Sequence, residues 1–264
     1  MNRHLQVALE IASQAGALLV DEFRKRPQIE YKGGADIVTA ADRRSEELIV
    51  ERLHTYFPGH GIVAEEGSGG ETQSEFCWYV DPLDGTTNFA HGFPVFSVSM
   101  GLLSGEDMLV GVVHDPMRGE TFYAARGEGA WLNQKCIHVS RTERLFESLL
   151  ATGFPARKRH ANPNILYYHR FTLMSHGVRR AGSAALDLSY VAAGRLDGFW
   201  EFNLKPWDTA AGALLVREAG GTVTDFQGIP YKLGGSEIAA SNGLIHPEMQ
   251  QVFAEIAAQA TRLA

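Results

Sequence analysis

Cysteine is scarce in this chain: Cys77 and Cys136 are the only two in 264 residues. One of them sits inside an apolar run, so neither a disulfide framework nor a zinc pattern can be assembled, and a reducing cytoplasm is the expected home. Basic residues are outnumbered, 24 Lys and Arg against 31 Asp and Glu, for a formal net charge of −7. Nucleic acids and anionic membranes reward clustered Lys and Arg, so direct binding to either is not expected. No apolar run is long enough to cross a bilayer. The N-terminal MNRHLQVALEIASQAGALLVDEF is interrupted by Glu10 and Gln14 and lacks a small-residue cleavage site, so it does not read as a signal peptide. H-E-x-x-H, C-x-x-C, G-x-S-x-G and the Walker P-loop are missing as well, which disfavours zinc proteases, serine hydrolases and P-loop NTPases.

What is present is a 45% hydrophobic chain, ample for one large domain or two small ones sharing an interface. Its most informative stretch is Trp78-Tyr79-Val80-Asp81-Pro82-Leu83-Asp84-Gly85-Thr86-Thr87-Asn88-Phe89. Residues 77–80 suit a buried strand, and Pro82 and Gly85 are expected to stop it. The polar groups then lie at the strand's end. Asp81 and Asp84, three apart around a proline, can face one point together with the Leu83 carbonyl, a set of hard oxygens that suits Mg²⁺. Two carboxylates held ~4 Å apart repel by roughly 4 kcal/mol at an effective dielectric near 20, and a divalent cation reverses that sign. Gly85-Thr86-Thr87 adds backbone N–H groups at an expected helix start, which attract phosphate. An isolated D-P-x-D would be better read as a plain turn; six informative positions in a row reverse that.

The run Asp81 to Phe89 resembles the inositol monophosphatase family, whose signature D-P-[LI]-D-G-T-T-N-F it matches at every position. The resemblance extends to Ala64-Glu65-Glu66-Gly67-Ser68, Gly182-Ser183-Ala184-Ala185 and Trp207-Asp208-Thr209-Ala210-Ala211-Gly212, so it covers most of the chain. It implies an α/β fold, the layered αβαβα sandwich of those phosphatases, and a homodimer inhibited by lithium. Read without the resemblance, Glu65 is a solvated loop charge and Asp208 a charge favoured at a helix start. With it, Glu65, Asp81 and the Leu83 carbonyl hold one Mg²⁺, and Asp81, Asp84 and Asp208 hold a second. A third, weaker ion would reach Glu65 through water. The resemblance also implies that Glu65 and Thr86 orient and deprotonate the attacking water, with Asp42 linked to Thr86. Phosphate and ring contacts fall to Glu65, Asp84, Gly85, Thr86, Ala184 (backbone), Glu201 and Asp208. Ser183 stands where several relatives carry threonine.

Elsewhere the pattern predicts a mixed, largely antiparallel sheet in the first half and α/β alternation in the second, with residues 1–142 and 143–264 as subdomains that together build the site. Leu5, Ala8, Leu9, Ala12, Ala15, Leu19 and Phe23 recur at helical spacing, with Gly16 on the same face. Thr39-Ala40-Ala41-Asp42 is a helix-capping pattern that gives Asp42 an ordinary structural role beside the functional one, and the helix runs to about Phe57. Polar residues 67–73 form an expected mobile loop beside the metal site. Strands are expected at 61–64, 95–103, 108–114, 121–125 and 137–139, with Gly127-Glu128-Gly129 a turn rather than a nucleotide loop. Beyond 143, strands at 148–153, 177–182, 197–202, 222–225 and 238–240 alternate with helices at 160–175, 183–193, 207–220 and 246–263. In the first of these helices Ile165, Leu166, Tyr168 and Phe171 are expected to be buried. Glu201, on an alternating strand, has an outward-facing reading beside its ring-contact one.

The implied reaction is Mg²⁺-dependent hydrolysis of inositol 1-phosphate. Same-fold alternatives are histidinol phosphate, fructose 1,6-bisphosphate and 3′-phosphoadenosine 5′-phosphate, with residues 154–164 and Glu201 choosing among them. An alternative of another class is a binding role, because bacterial members also serve as RNA-polymerase-associated antitermination factors. Pure binding would not need the intact ligand set.

Overall fold

A computed structural model describes residues 2–25, 30–33, 36–67, 74–154 and 162–263. The expected mobile loop therefore lies outside the described residues except for Gly67, and residues 155–161 of the substrate-choosing segment lie outside them too.

The chain opens with helix α1 (Arg3–Arg24), the short antiparallel pair β1 (Glu30–Gly33) and β2 (Asp36–Val38), and helix α2 (Ala40–Tyr56). β3 (Gly61–Ala64), β4 (Phe76–Asp84), helix α3 (Thr86–Ala90), β5 (Ser97–Ser104), β6 (Asp107–Asp115), β7 (Glu120–Ala125), β8 (Ala130–Leu132) and β9 (Lys135–Ile137) follow. Together β3 to β9 form one seven-stranded sheet in sequence order, antiparallel throughout except for β3 beside β4. The second half comprises β10 (Leu149–Thr152), α4 (Asn164–Met174), β11 (Gly177–Arg179), α5 (Ala184–Ala192), β12 (Gly198–Phe202), α6 (Pro206–Glu218), β13 (Thr222–Thr224), β14 (Glu237–Ser241) and α7 (His246–Leu263). Its sheet has the order β11-β10-β12-β14-β13, with β10 parallel to both β11 and β12, as the βαβ alternation predicted.

Three apolar clusters define the layers. Ile11, Leu19, Ile49 and Leu53 pack α1 and α2 on one face of the large sheet, against Trp78, Val98 and Met100. α5 and α6 fill the space between the sheets with Leu186, Leu188, Leu214 and Leu215, against Val113 and Phe122 on one side and Phe199 and Ile238 on the other. Phe171 of α4 and Phe253 of α7 cover the far face of the small sheet over Trp200. The order is helices, sheet, helices, sheet, helices, the expected five-layer sandwich.

Three local differences from the sequence expectation have physical causes. β4 does not stop at Pro82: it runs to Asp84, with Asp81 opposite Ser99 and Asp84 opposite Ser97, so one extra residue is accommodated as a bulge. Proline is tolerated because β3 pairs only as far as Val80, which leaves β4 with a single neighbouring strand there. The strand expected at 137–139 is instead the hairpin β8–β9, turned at Asn133, whose φ of 53° is in the left-handed region that asparagine accepts. Ile165 and Leu166 are exposed, because α4 buries only Asn164 and Phe171 fully.

α6 lies unusually close to the large sheet. Gly101 of β5 and Gly111 of β6 are paired across the ladder, and a Cβ on them would approach Ala210 and Ala211 within 2.6 and 2.7 Å. This glycine slot sets the height of α6 over the sheet and hence of Asp208 in its first turn. At the other end of α6, Glu218 accepts from the amides of Gly127 and Gly129 at 2.9 and 3.0 Å, so the Gly-Glu-Gly segment is the expected turn, and it anchors a helix.

Candidate active site

Six carboxyl side chains, Glu65, Asp81, Asp84, Asp187, Glu201 and Asp208, line one cavity of about 750 Å³. They arrive from the turn after β3, the bulge of β4, the first turns of α5 and α6, and β12. Arg180 is the only Lys or Arg among the described lining residues. Gly85, Thr86 and Ala184 share the wall, and Phe154, Ile165 and Leu204 add apolar area. Every site residue expected from the sequence except Asp42 thus lies on this cavity, and Asp42 reaches it through Thr86.

Asp42 makes both of the contacts weighed for it. Its Oδ2 accepts from the Thr39 backbone N–H (2.8 Å) and hydroxyl (2.7 Å), completing the capping box of α2. Its Oδ1 accepts from the Thr86 hydroxyl at 2.9 Å. Burial pushes the Asp42 carboxyl above its ordinary value, against the pull of these donors. The Thr86 hydroxyl also lies 3.1 Å from the Leu83 carbonyl oxygen. α3 is only five residues long, so its value is local: Gly85 caps it at φ 102°, and a side chain there would press on the Val95 carbonyl.

The bulge of β4 aims its two aspartates differently. Asp81 Oδ1 accepts from its own turn, Leu83 N–H at 3.0 Å. Asp84 Oδ2 is held from across the cavity by the Ser183 hydroxyl (2.7 Å) and the Ala185 N–H (2.8 Å). Ser183 thus serves the site by a hydroxyl that threonine also has. Asp208 Oδ2 accepts from Lys205 N–H at 2.7 Å. Burial, then repulsion from Glu65, Asp84 and Asp208, drives Asp81 well above the ordinary carboxylate range. Burial brings Asp84 up to about 6; burial and then Asp84 bring Asp208 up to about 7.

Glu201 is not an outward charge. All five residues of β12 are buried, and a Cβ on Gly153 would overlap the Glu201 carboxylate. Burial and then Asp187, Asp208 and Asp84 raise it well above its ordinary value, with Arg180 opposing.

Among the described residues, no three Asp, Glu, His or Cys side chains already close on a single point. The donor set nevertheless fits hard divalent cations: several buried carboxylates in one cavity with one arginine are mutually repulsive, and a phosphate dianion would add to that repulsion. Glu65, Asp81, Asp84, Asp208 and the Leu83 carbonyl are the groups that would hold them.

Asp187 and Arg180 carried no assigned role in the sequence, and Phe154 only that of one end of the substrate-choosing segment. Asp187 was legible in principle, lying four residues after Ser183 and so on the same face of α5. The Arg180 guanidinium stacks 4.8 Å from the centroid of the Phe154 ring, a contact that no spacing announces.

A model of the inositol monophosphatase family matches residues 1–262. The inositol-1-monophosphatase of Synechocystis sp. is 48% identical over 253 residues, covering 95% of this chain and 88% of that one. The Nus factor SuhB of Pseudomonas aeruginosa is 44% identical, with 92% of each chain covered. The solved structure of inositol monophosphatase from Anabaena superimposes with a TM-score of 0.87 at 43% identity, over 96% of this chain and 95% of that one.

Proposed function

The chain belongs to the inositol monophosphatase family, a phosphatase family, and on that premise we propose that it hydrolyses inositol 1-phosphate, or a closely related polyol phosphate, with Mg²⁺. The observation that carries this reading is the convergence of Glu65, Asp81, Asp84 and Asp208 on the cavity where the Asp42–Thr86 hydrogen bond ends.

Bound Mg²⁺, two ions and a weaker third, would neutralise the phosphate and acidify a water. Glu65 and Thr86 orient that water. The Thr86 hydroxyl donates a hydrogen bond to Asp42 Oδ1, which leaves its lone pairs to accept from the water, and Glu65 takes the water's proton as phosphorus is attacked. The Gly85 and Thr86 amides bind phosphate oxygens, and Glu201 with the Ala184 backbone holds the alcohol part. No covalent phosphoenzyme is needed. Family membership also supports a cytoplasmic homodimer inhibited by lithium.

Phosphate release from inositol 1-phosphate, histidinol phosphate, fructose 1,6-bisphosphate and 3′-phosphoadenosine 5′-phosphate, each with Mg²⁺ and with EDTA, tests the reading. Inositol 1-phosphate should be hydrolysed fastest and only with the metal; a much faster rate on another member would replace the substrate assignment. A relative named Nus factor SuhB raises a rival role in transcription. The complete carboxylate set favours hydrolysis, and a chain inactive on the whole panel would favour the rival.

A further inference from the structure

Helix α2 buries three polar side chains against the site, Asp42, Ser45 and Glu46, each of them 0% exposed. Spacings of three and four from Asp42 put them on one face of the helix. Each bonds a different segment. Asp42 takes the Thr86 hydroxyl. The Ser45 hydroxyl donates to the Pro82 carbonyl in the bulge of β4 at 2.9 Å. Glu46 Oε2 accepts from the Glu66 backbone N–H at 2.7 Å. That last contact falls on the turn that carries Glu65. Glu65 N–H continues the strand ladder to the Val80 carbonyl at 3.2 Å, and Gly67 N–H closes the turn on the Ala64 carbonyl at 3.3 Å. The peptide joining Glu65 to Glu66 is the central one of this turn, and a central peptide can rotate while the bonds on both flanks persist. Glu46 reaches it from α2 and fixes its direction.

We propose that Glu46 is a positioning residue that aims Glu65 into the cavity, so that α2 holds the Glu65 turn, the β4 bulge and Thr86 in register with one another. A carboxyl taken wholly out of water is a poor device for packing alone, because an apolar side chain of similar size fills the space without the loss of hydration. What it supplies here is direction. The inference rests on the phosphatase reading above and deepens it: Glu65 is oriented by the fold before a cation arrives, and a ligand held in place by its own hydrogen-bonded neighbours binds the ion more tightly.

The test uses Glu46→Gln, Glu46→Asp and Glu46→Ala in the full chain. Glutamine keeps the reach and an acceptor oxygen without the charge, aspartate keeps the charge but withdraws the acceptor by one methylene, and alanine removes both. Isothermal titration with Mg²⁺ in the absence of substrate should show the aspartate and alanine variants binding about tenfold more weakly, and glutamine within about threefold of wild type. Amide exchange at Glu66, followed by NMR in EDTA, should accelerate about tenfold in the same two variants and stay slow in glutamine. The Mg²⁺ concentration for half-maximal phosphate release should rise in parallel, while KM for inositol 1-phosphate at saturating Mg²⁺ stays within about twofold, since no substrate contact is lost. A merely structural role would lower the melting temperature and leave Mg²⁺ affinity, measured well below melting, as in wild type. That result would overturn the proposal, as would unchanged Glu66 exchange or a glutamine variant as impaired as aspartate. The glutamine and aspartate pair decides if alanine does not fold. A wild type that binds Mg²⁺ yet hydrolyses no phosphate ester of the panel would overturn the phosphatase reading, and the Mg²⁺ titrations would still judge the positioning of Glu65 separately.

Discussion

The Thr86 hydroxyl donates to Asp42 Oδ1 at 2.9 Å, while the other oxygen of that same carboxylate closes the capping box of α2. One side chain therefore couples helix stability to the position of the hydroxyl that faces the cavity. Thr86→Ala should lower kcat by about 10²-fold and cost no more than about 1 kcal/mol of stability. Asp42→Ala should also lower kcat and in addition cost about 1–2 kcal/mol through loss of the cap. Phosphate-release kinetics and urea melts on the two variants check this; equal destabilisation in both would break the division of roles.

Asp81→Asn and Asp208→Asn remove one charge each from the crowded wall. Both should abolish measurable turnover while remaining folded, and in EDTA they should melt no lower than wild type, because the repulsion around Asp81 is relieved. Circular dichroism melts with activity assays decide; full turnover in either variant would remove that residue from the site.

Stability of the metal-stripped protein should fall as pH rises from about 4 to about 7. Asp84 near 6 and Asp208 near 7 are both raised from 3.8, so the native state holds more protons than the unfolded chain in that window. Their contribution is complete below the unfolded value and lost as pH passes the folded one. Melting temperatures in EDTA across pH 4–8 should decline less for Asp208→Asn than for wild type. Parallel curves would show that Asp208 titrates normally.

Saturating Mg²⁺ should raise the wild-type melting temperature, with the shift growing above pH 7 as protons no longer compete for the carboxylates. At a hundred times its dissociation constant the ion would add roughly 2.7 kcal/mol. Differential scanning fluorimetry with and without Mg²⁺ at two pH values is sufficient, and superimposable curves would count against the metal assignment.

Gly16→Ala tests a packing site remote from the chemistry. Alanine favours the helix by about 1 kcal/mol. Here, however, its Cβ would enter the His114 ring, which is fixed by a 2.9 Å hydrogen bond to Thr121. Net destabilisation of about 1–3 kcal/mol is expected, with catalysis unchanged. A stabilised variant would show that the ring moves aside freely.

Much of this molecule is written locally. Period-3.6 apolar residues and the Thr39–Asp42 cap fix α1 and α2, and alternation between turn residues fixes the meander, because these features depend on neighbours a few positions apart. The run from Asp81 to Phe89 likewise carries its own chemistry. The sequence could not show that β4 continues through Pro82, since that depends on where β3 ends in the sheet. Nor could it show that Ile165 and Leu166 face outward while Asn164 is buried between Thr152 and Trp200, an outcome of how α4 lies on the small sheet. Identity of the acids was determined by the chain alone; their gathering was not. Gly101 and Gly111 admit α6, Ser183 reaches across to Asp84, and β12 turns Glu201 inward, contacts between residues separated by tens to more than a hundred positions. Burial and proximity, which shift these carboxyls, come into being only when the layers close.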